Sequence, residues 1–183
     1  MATIQTFSRG VKDLKFATWT AENSYGTAYD VLGVRGANLQ WVVETDELRG
    51  DDVVLDRFTS LVSATLTINE ASIDLTVFNM LLGGILTTTA NYYDFYISSA
   101  LAVPYLAIAG RISGSAGRDT HFLLPKSALA GNLQLNAQVD SYLIPQMDMQ
   151  GVNEGPINGM LRLRQFLVPT ALTIPLATTG GGG

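Results

Sequence analysis

Apolar and polar residues alternate one by one through several short segments of this chain, the pattern of β-strands with one buried face. From Val62 to Ile68, the residues Val62, Ala64, Leu66 and Ile68 take one face, and Ser63, Thr65, Thr67 and Asn69 take the other. From Asn38 to Glu44, the residues Leu39, Trp41 and Val43 alternate with Asn38, Gln40 and Glu44, and Val42 interrupts the polar side. The stretch Tyr92–Ile97 is aromatic and strand-prone, and 104–112 and 119–124 follow it on either side of a Gly-rich turn at 113–117. Two late segments alternate as well. In 134–142, Leu135, Ala137 and Val139 oppose Gln134, Asn136, Gln138 and Asp140; in 157–165, Ile157, Leu161 and Leu163 oppose Asn158, Arg162 and Arg164. Short strands at close spacing with turn signals between them predict a mainly β protein, an antiparallel β-sandwich or half-barrel.

The period changes once. Ala71, Leu75, Phe78 and Leu82 recur at helical spacing, and Ile73, Val77 and Leu81 widen the stripe. Asn69 or Ser72 serves as the cap, Asp74 suits the first turn and Gly83-Gly84 ends the run, so one flanking helix is predicted over about 70–82. Its apolar surface runs most of the way round, which requires deep packing. Residues 1–36 carry turn residues without a clean period and read as an extended N-terminal arm with anchoring aromatics. Residues 37–168 form the β domain, and 169–183 form a C-terminal tail ending in four glycines. Between Thr45 and Asp56 lies a polar loop, with Glu44, Asp46, Glu47, Asp51, Asp52 and Asp56 in or beside it and Arg49 as counter-charge.

Composition narrows the function. With no cysteine and one histidine, the chain offers neither disulfides, nor thiolate metal sites, nor a histidine metal cluster. A net charge of −5 argues against tight nucleic-acid binding, which needs basic footprints on phosphate. No window holds the ~20 apolar residues of a spanning helix. The start lacks the layout of a signal peptide, so synthesis and retention in the cytoplasm are expected. Charged residues are only 15% of the chain, as in a protein whose surface is largely covered by other copies. His121 would need a nucleophile and an orienting carboxylate to act as a catalytic base; Ser113, Ser115 and Asp119 are near in sequence only, and a structural role is expected. The glycines of 110–117 lack the Lys-Ser/Thr and helix start of a phosphate loop. The carboxylates of the 45–56 segment lack calcium-loop spacing and read as a solvated turn or an electrostatic contact, with Arg162 and Arg164 as candidate counter-charges. No cofactor and no enzymatic activity are expected.

In their order, several short motifs resemble the major tail tube proteins of tailed bacteriophages. These are Tyr25-Gly-Thr-Ala-Tyr29 leading to Val34-Arg-Gly36, Glu47-Leu-Arg-Gly-Asp-Asp-Val-Val54, Asn79-Met-Leu-Leu-Gly-Gly84, Pro104-Tyr-Leu-Ala-Ile-Ala-Gly-Arg111 and His121-Phe-Leu-Leu-Pro-Lys126. The likeness covers roughly residues 25–165. It implies a β-sandwich flanked by a helix, six copies closing into a ring with a continuous inner β-barrel, and rings stacked into a tube that conducts DNA from capsid to host. It also implies a loop reaching into the adjacent ring, with Asp46, Glu47, Arg49, Asp51 and Asp52 as contact residues. Glu44, Asp46, Asp56 and Asp140 are candidates for the lumen, where carboxylates would repel passing phosphates. The implied partners are the chain itself and other tail proteins (tape measure, terminator, baseplate or tip). The implied place is the virion tail, assembled in the host cytoplasm. Two rival readings are a tube of a contractile injection or secretion system, and a carbohydrate-binding β-sandwich module presenting Tyr92, Tyr93, Phe95 and Tyr96.

Overall fold

The computed structural model describes residues 11–32, 34–50, 53–70, 74–98, 102–114, 118–131, 146–156 and 159–176. The chain is mainly β with antiparallel pairing throughout and, among the described residues, a single helix. The described residues form eleven strands: β1 (Val11–Ala21), β2 (Ser24–Tyr25), β3 (Tyr29–Asp30), β4 (Val34–Gly50), β5 (Val53–Glu70), β6 (Ile85–Thr88), β7 (Tyr93–Tyr96), β8 (Leu106–Ser113), β9 (Asp119–Leu129), β10 (Gln146–Gly151) and β11 (Arg162–Phe166). The helix α1 spans Leu75–Leu82.

Nine strands make the main sheet, in the order β2-β1-β8-β9-β10-β5-β4, with β3 paired to β1 and β11 to β9. β9 is where the sheet divides. One edge carries β8; the other carries β11 along Asp119–Leu123 and β10 along Ser127–Leu129. Pro125 lies inside β9 without breaking it. Between the β8 pairs at Leu106 and Ile108, β9 advances from Ser127 to Leu124, one residue more than its partner. A bulge is where a strand tolerates a residue that cannot donate to the ladder.

The core follows the period of two. Leu14 and Phe16, Leu66 and Ile68, Leu106 and Ile108, Phe122 and Leu124, and Met147 and Met149 all point to one side, where Val77, Phe78 and Leu81 of α1 close over them. Each such burial contributes about 1.5–3 kcal/mol, which explains why the helix had to be apolar nearly all round. Asp74 caps it: its carboxylate accepts from the Thr76 N–H at 2.8 Å and from the Tyr29 hydroxyl. Gly83 ends it in the left-handed region at φ 66°, a conformation glycine adopts without steric cost. The start differs from the predicted one. Asn69 is not a cap but a strand residue, paired with Gly36 on one side and Gln146 on the other, because the alternation of β5 runs on to Glu70.

Four other expectations need correction. Residues 11–21 are not a peripheral arm: β1 pairs with β8, and Leu14 and Phe16 are core. Lys12, Lys15 and Asp13 had obscured the alternation there. The 45–56 segment is not a polar loop within the described residues, since strand pairing runs to Gly50↔Val53. In β11 the apolar and basic faces are exchanged. Arg162 and Arg164 are half-buried and Leu163 is exposed, because Arg164 pairs with His121 beneath the C-terminal segment. That segment is also not wholly a loose tail, since Thr170, Leu172 and Leu176 are buried. Residues 1–10, the predicted strand at 134–142 and the last residues 177–183 lie outside the described residues.

Glu154 fixes the β1–β2 turn to the segment after β10. Its carboxylate accepts from Trp19 Nε1, the Asn23 N–H and the Tyr25 hydroxyl, each at 3.0 Å. Lys126 Nζ lies 4.1 Å from the Trp19 ring centroid and 4.4 Å from that of Tyr105.

Candidate assembly surface

β10 accompanies β5 only from Asn69 to Thr65, whereas β4 and β5 stay paired from Val34↔Glu70 to Gly50↔Val53. Beyond the sheet, a two-stranded arm therefore continues for about 30 Å at ~3.3 Å per residue. Among the described residues, β4 pairs only with β5, leaving its other edge open.

The two faces of this arm differ sharply in chemistry. One continues the core-facing side: Leu39↔Leu66 and Trp41↔Ala64 lead to Val43↔Leu61, with Val62 at the bulge. Ala64 and Leu66 are buried, but Trp41 is 54% exposed and Val43 56%, and Leu61 and Val62 are exposed too; Val42, also exposed, stands on the opposite face across from Ser63. Among the described residues, the core stripe thus runs past the elements that cover it. Further out on the same face, Thr45 and Thr59 share a hydroxyl hydrogen bond at 3.1 Å, and Glu47 pairs with Arg57 at 2.5 Å.

The opposite face carries the arm's acidic positions, interrupted by Val42, Leu48 and Phe58. Register places Asn38, Gln40, Val42, Glu44 and Asp46 of β4 beside Thr67, Thr65, Ser63, Ser60 and Phe58 of β5, with Asp56 across from Leu48. Gln146, Asp148 and Gln150 of β10 extend it. Glu44, Asp46 and Asp56, predicted from sequence as one set, lie on this one face and are exposed. Of the predicted contact residues, Glu47 lies on the other face, ion-paired to Arg57. Arg49 stands on β4 opposite Val54, and nothing of its side chain is described. Asp51, Asp52 and Asp140 lie outside the described residues.

A second apolar surface is the β6–β7 hairpin. Its turn is closed by Thr89, whose Oγ1 accepts from the Asn91 and Tyr92 N–H groups at 3.3 and 3.1 Å. Phe95 turns inward to the core while Tyr92, Tyr93, Tyr96, Ile85 and Ile97 stay exposed.

His121 is fully buried, with its ring 4.6 Å from that of Phe166. Burial holds its pKa below the ordinary 6.5, with the Arg111 charge pushing the same way and Asp119 opposing. Ser113 and Asp119 are also buried, on β8 and β9. Among the described residues, no group of three or more His, Asp or Glu is arranged to hold a metal ion, and no helix is long and apolar enough to cross a membrane.

Sequence reasoning missed the exposure of Trp41 and Val43, which alternation assigned to a buried face. The signal was present at Val42, where the polar side of the strand fails and both faces become apolar. It also missed the cover that the C-terminal segment provides for His121. Compared with family models and with curated proteins, the sequence matches none.

Proposed function

We propose that this chain is a structural, non-enzymatic subunit that assembles with copies of itself, as the tail tube protein of a tailed bacteriophage does. Six copies would close a ring, and stacked rings would conduct DNA from capsid to host cell. The observation that carries this reading is the β4–β5 arm, which extends a core stripe into solvent through Trp41, Val43, Leu61 and Val62. A two-stranded hairpin alone is marginally stable in water, and a contiguous apolar stripe on one marks an interaction surface. The open β4 edge supports the same reading, since closure against neighbouring copies removes edges. A head-to-tail interface with the right rotation gives closed rings.

The arm's acidic face suits a channel wall. Glu44, Asp46 and Asp56, with Asp140 as a fourth candidate, would line the lumen and repel phosphate. The tip, with Asp46, Glu47, Arg49, Asp51 and Asp52, would contact the adjacent ring, where Arg162 and Arg164 are candidate counter-charges. The remaining partners would be the tape measure, terminator and baseplate or tip proteins, in a virion tail assembled in the host cytoplasm. A tube of a contractile injection system shares every one of these features, and co-purification with a sheath protein separates the two.

Negative-stain electron microscopy at rising concentration tests the proposal. Stacked rings or hollow tubes are expected from the native chain, and dispersed particles from Trp41→Ser combined with Val43→Ser. Native chain that stays monomeric at every concentration, with and without other tail components, rules it out. The exposed Tyr92, Tyr93 and Tyr96 favour one second reading, a carbohydrate-binding module. A glycan array decides that case, since tube subunits need bind no sugar.

A further inference from the structure

The segment after β11 crosses the outer face of the main sheet as a strap. Leu172 and Leu176 close over Ala109 of β8 and Leu123 of β9. Two arginines tie it down: Arg111 Nη1 donates to the Thr170 carbonyl at 3.5 Å, and Arg164 Nη1 to the Leu176 carbonyl at 3.1 Å. His121 lies between them, opposite Arg111 on β8 and opposite Arg164 on β11. It is 0% exposed, and neither ring nitrogen has a hydrogen-bond partner of good geometry. The Thr170 backbone compensates only weakly.

The charges around this ring come from four strands. Arg111 faces it from β8 and Arg164 from β11; Asp119 lies on its own strand and Asp13 on β1. Asp119 is the stronger of the two acidic influences, but it also lies 4.0 Å from Arg111 and is shared with it. The strap, from Val168 to Leu176, brings no ionisable side chain. A neutral imidazole fits this setting. An imidazolium there would be a second cation opposite Arg111, competing with it for Asp119 and out of reach of water.

We propose that His121 is an acid-sensitive latch, whose protonation frees the strap from the sheet and uncovers the apolar strip at Ala109 and Leu123. A buried charge must be hydrated or paired. Lifting the strap hydrates His121 at the smallest structural loss, because among the described residues the strap is held by Leu172, Leu176 and the adjoining Ile174, by buried Thr170 and by two side-chain hydrogen bonds. The strands beneath are held by continuous ladders, and local opening takes the least protected element first. The inference stands apart from the tube reading and holds whatever the assembly proves to be.

Hydrogen exchange on the full chain, read by mass spectrometry from about pH 7.5 to about pH 5 and corrected for intrinsic exchange, spans the histidine range and tests the latch. Protection of 168–176 is expected to fall on acidification, by up to about tenfold per pH unit, while β8 and β9 stay protected. In His121→Gln the strap should stay protected across the whole range; if that variant does not fold, His121→Phe, which fills the site with an apolar ring, replaces it. Strap protection in the native chain that does not change with pH overturns the proposal. So does an equal loss in a folded variant without the histidine.

Discussion

Asp74 shows how one residue serves both its own element and a distant one. Burial pushes its carboxyl pKa up, but the Tyr29 hydroxyl and the Thr76 N–H outweigh this and hold it below the ordinary 3.8. A depressed folded pKa means that stabilisation is complete above the unfolded value and is lost as pH falls through the folded one. Asp74→Ala should cost about 1 kcal/mol at neutral pH, the usual worth of an N-cap, and should flatten the loss of stability below about pH 4. Urea unfolding of both chains at pH 7 and at pH 3 checks this, since a cap acting without its charge would leave the acid limb unchanged. Gly110 and Phe122 form a second residue-scale pair. A Cβ on Gly110 would meet the Phe122 ring at 2.2 Å, so Gly110→Ala should destabilise by about 1–3 kcal/mol through overpacking. Phe122→Ala should cost about 3–5 kcal/mol through the cavity it leaves. Denaturant midpoints at unchanged slope measure both.

At the scale of elements, the long hairpin and the strap are opposites. β4 and β5 extend past the sheet that would bury them, whereas the strap has no regular structure and yet covers two core-quality positions. The arm's apolar residues should therefore matter little to the isolated fold. Trp41→Ser and Val43→Ser should each shift monomer stability by no more than about 0.5 kcal/mol, the range of exposed substitutions. The same changes should abolish self-association seen by light scattering after size exclusion. A large loss of monomer stability would instead place these side chains in an intramolecular contact. The arm was legible in the sequence only in part. Alternation identified 38–44 and 62–68 as strands, but the acidic run between them reads as a loop by composition, because strand pairing of polar residues leaves no mark in hydropathy.

At the scale of the whole molecule, the described residues hold an acidic set and a basic set in different places, with Glu47–Arg57 and Arg111–Asp119 as mixed pairs. Glu44, Asp46 and Asp56 share one face of the arm, while Arg111, Arg118, Lys126, Arg162 and Arg164 lie on or beside β8, β9 and β11. If the acidic face lines a channel, replacing Glu44, Asp46 and Asp56 together by lysine should give assemblies that retain duplex DNA. Co-sedimentation at low salt reads this directly, with retention lost as salt rises because phosphate contacts are screened and released counter-ions oppose them. Variant assemblies that retain no more DNA than the native chain would remove these residues from the channel wall.

What the sequence by itself determined is local. The period of two in β5, β8 and β9, the helical spacing of Leu75, Phe78 and Leu82, and the stop at Gly83 follow from backbone geometry and the burial of one face. So did the antiparallel, mainly β class. Which apolar face found a partner was decided only by the tertiary structure. Leu39 is covered and Trp41, two residues on, is not, because β10 ends at that level of the sheet. Arg164 packs inward and Leu163 outward because β11 pairs with β9 in the register that sets Arg164 against His121. Alternation assigns residues to two faces; only the placement of neighbouring strands, the helix and the strap says which face is inside.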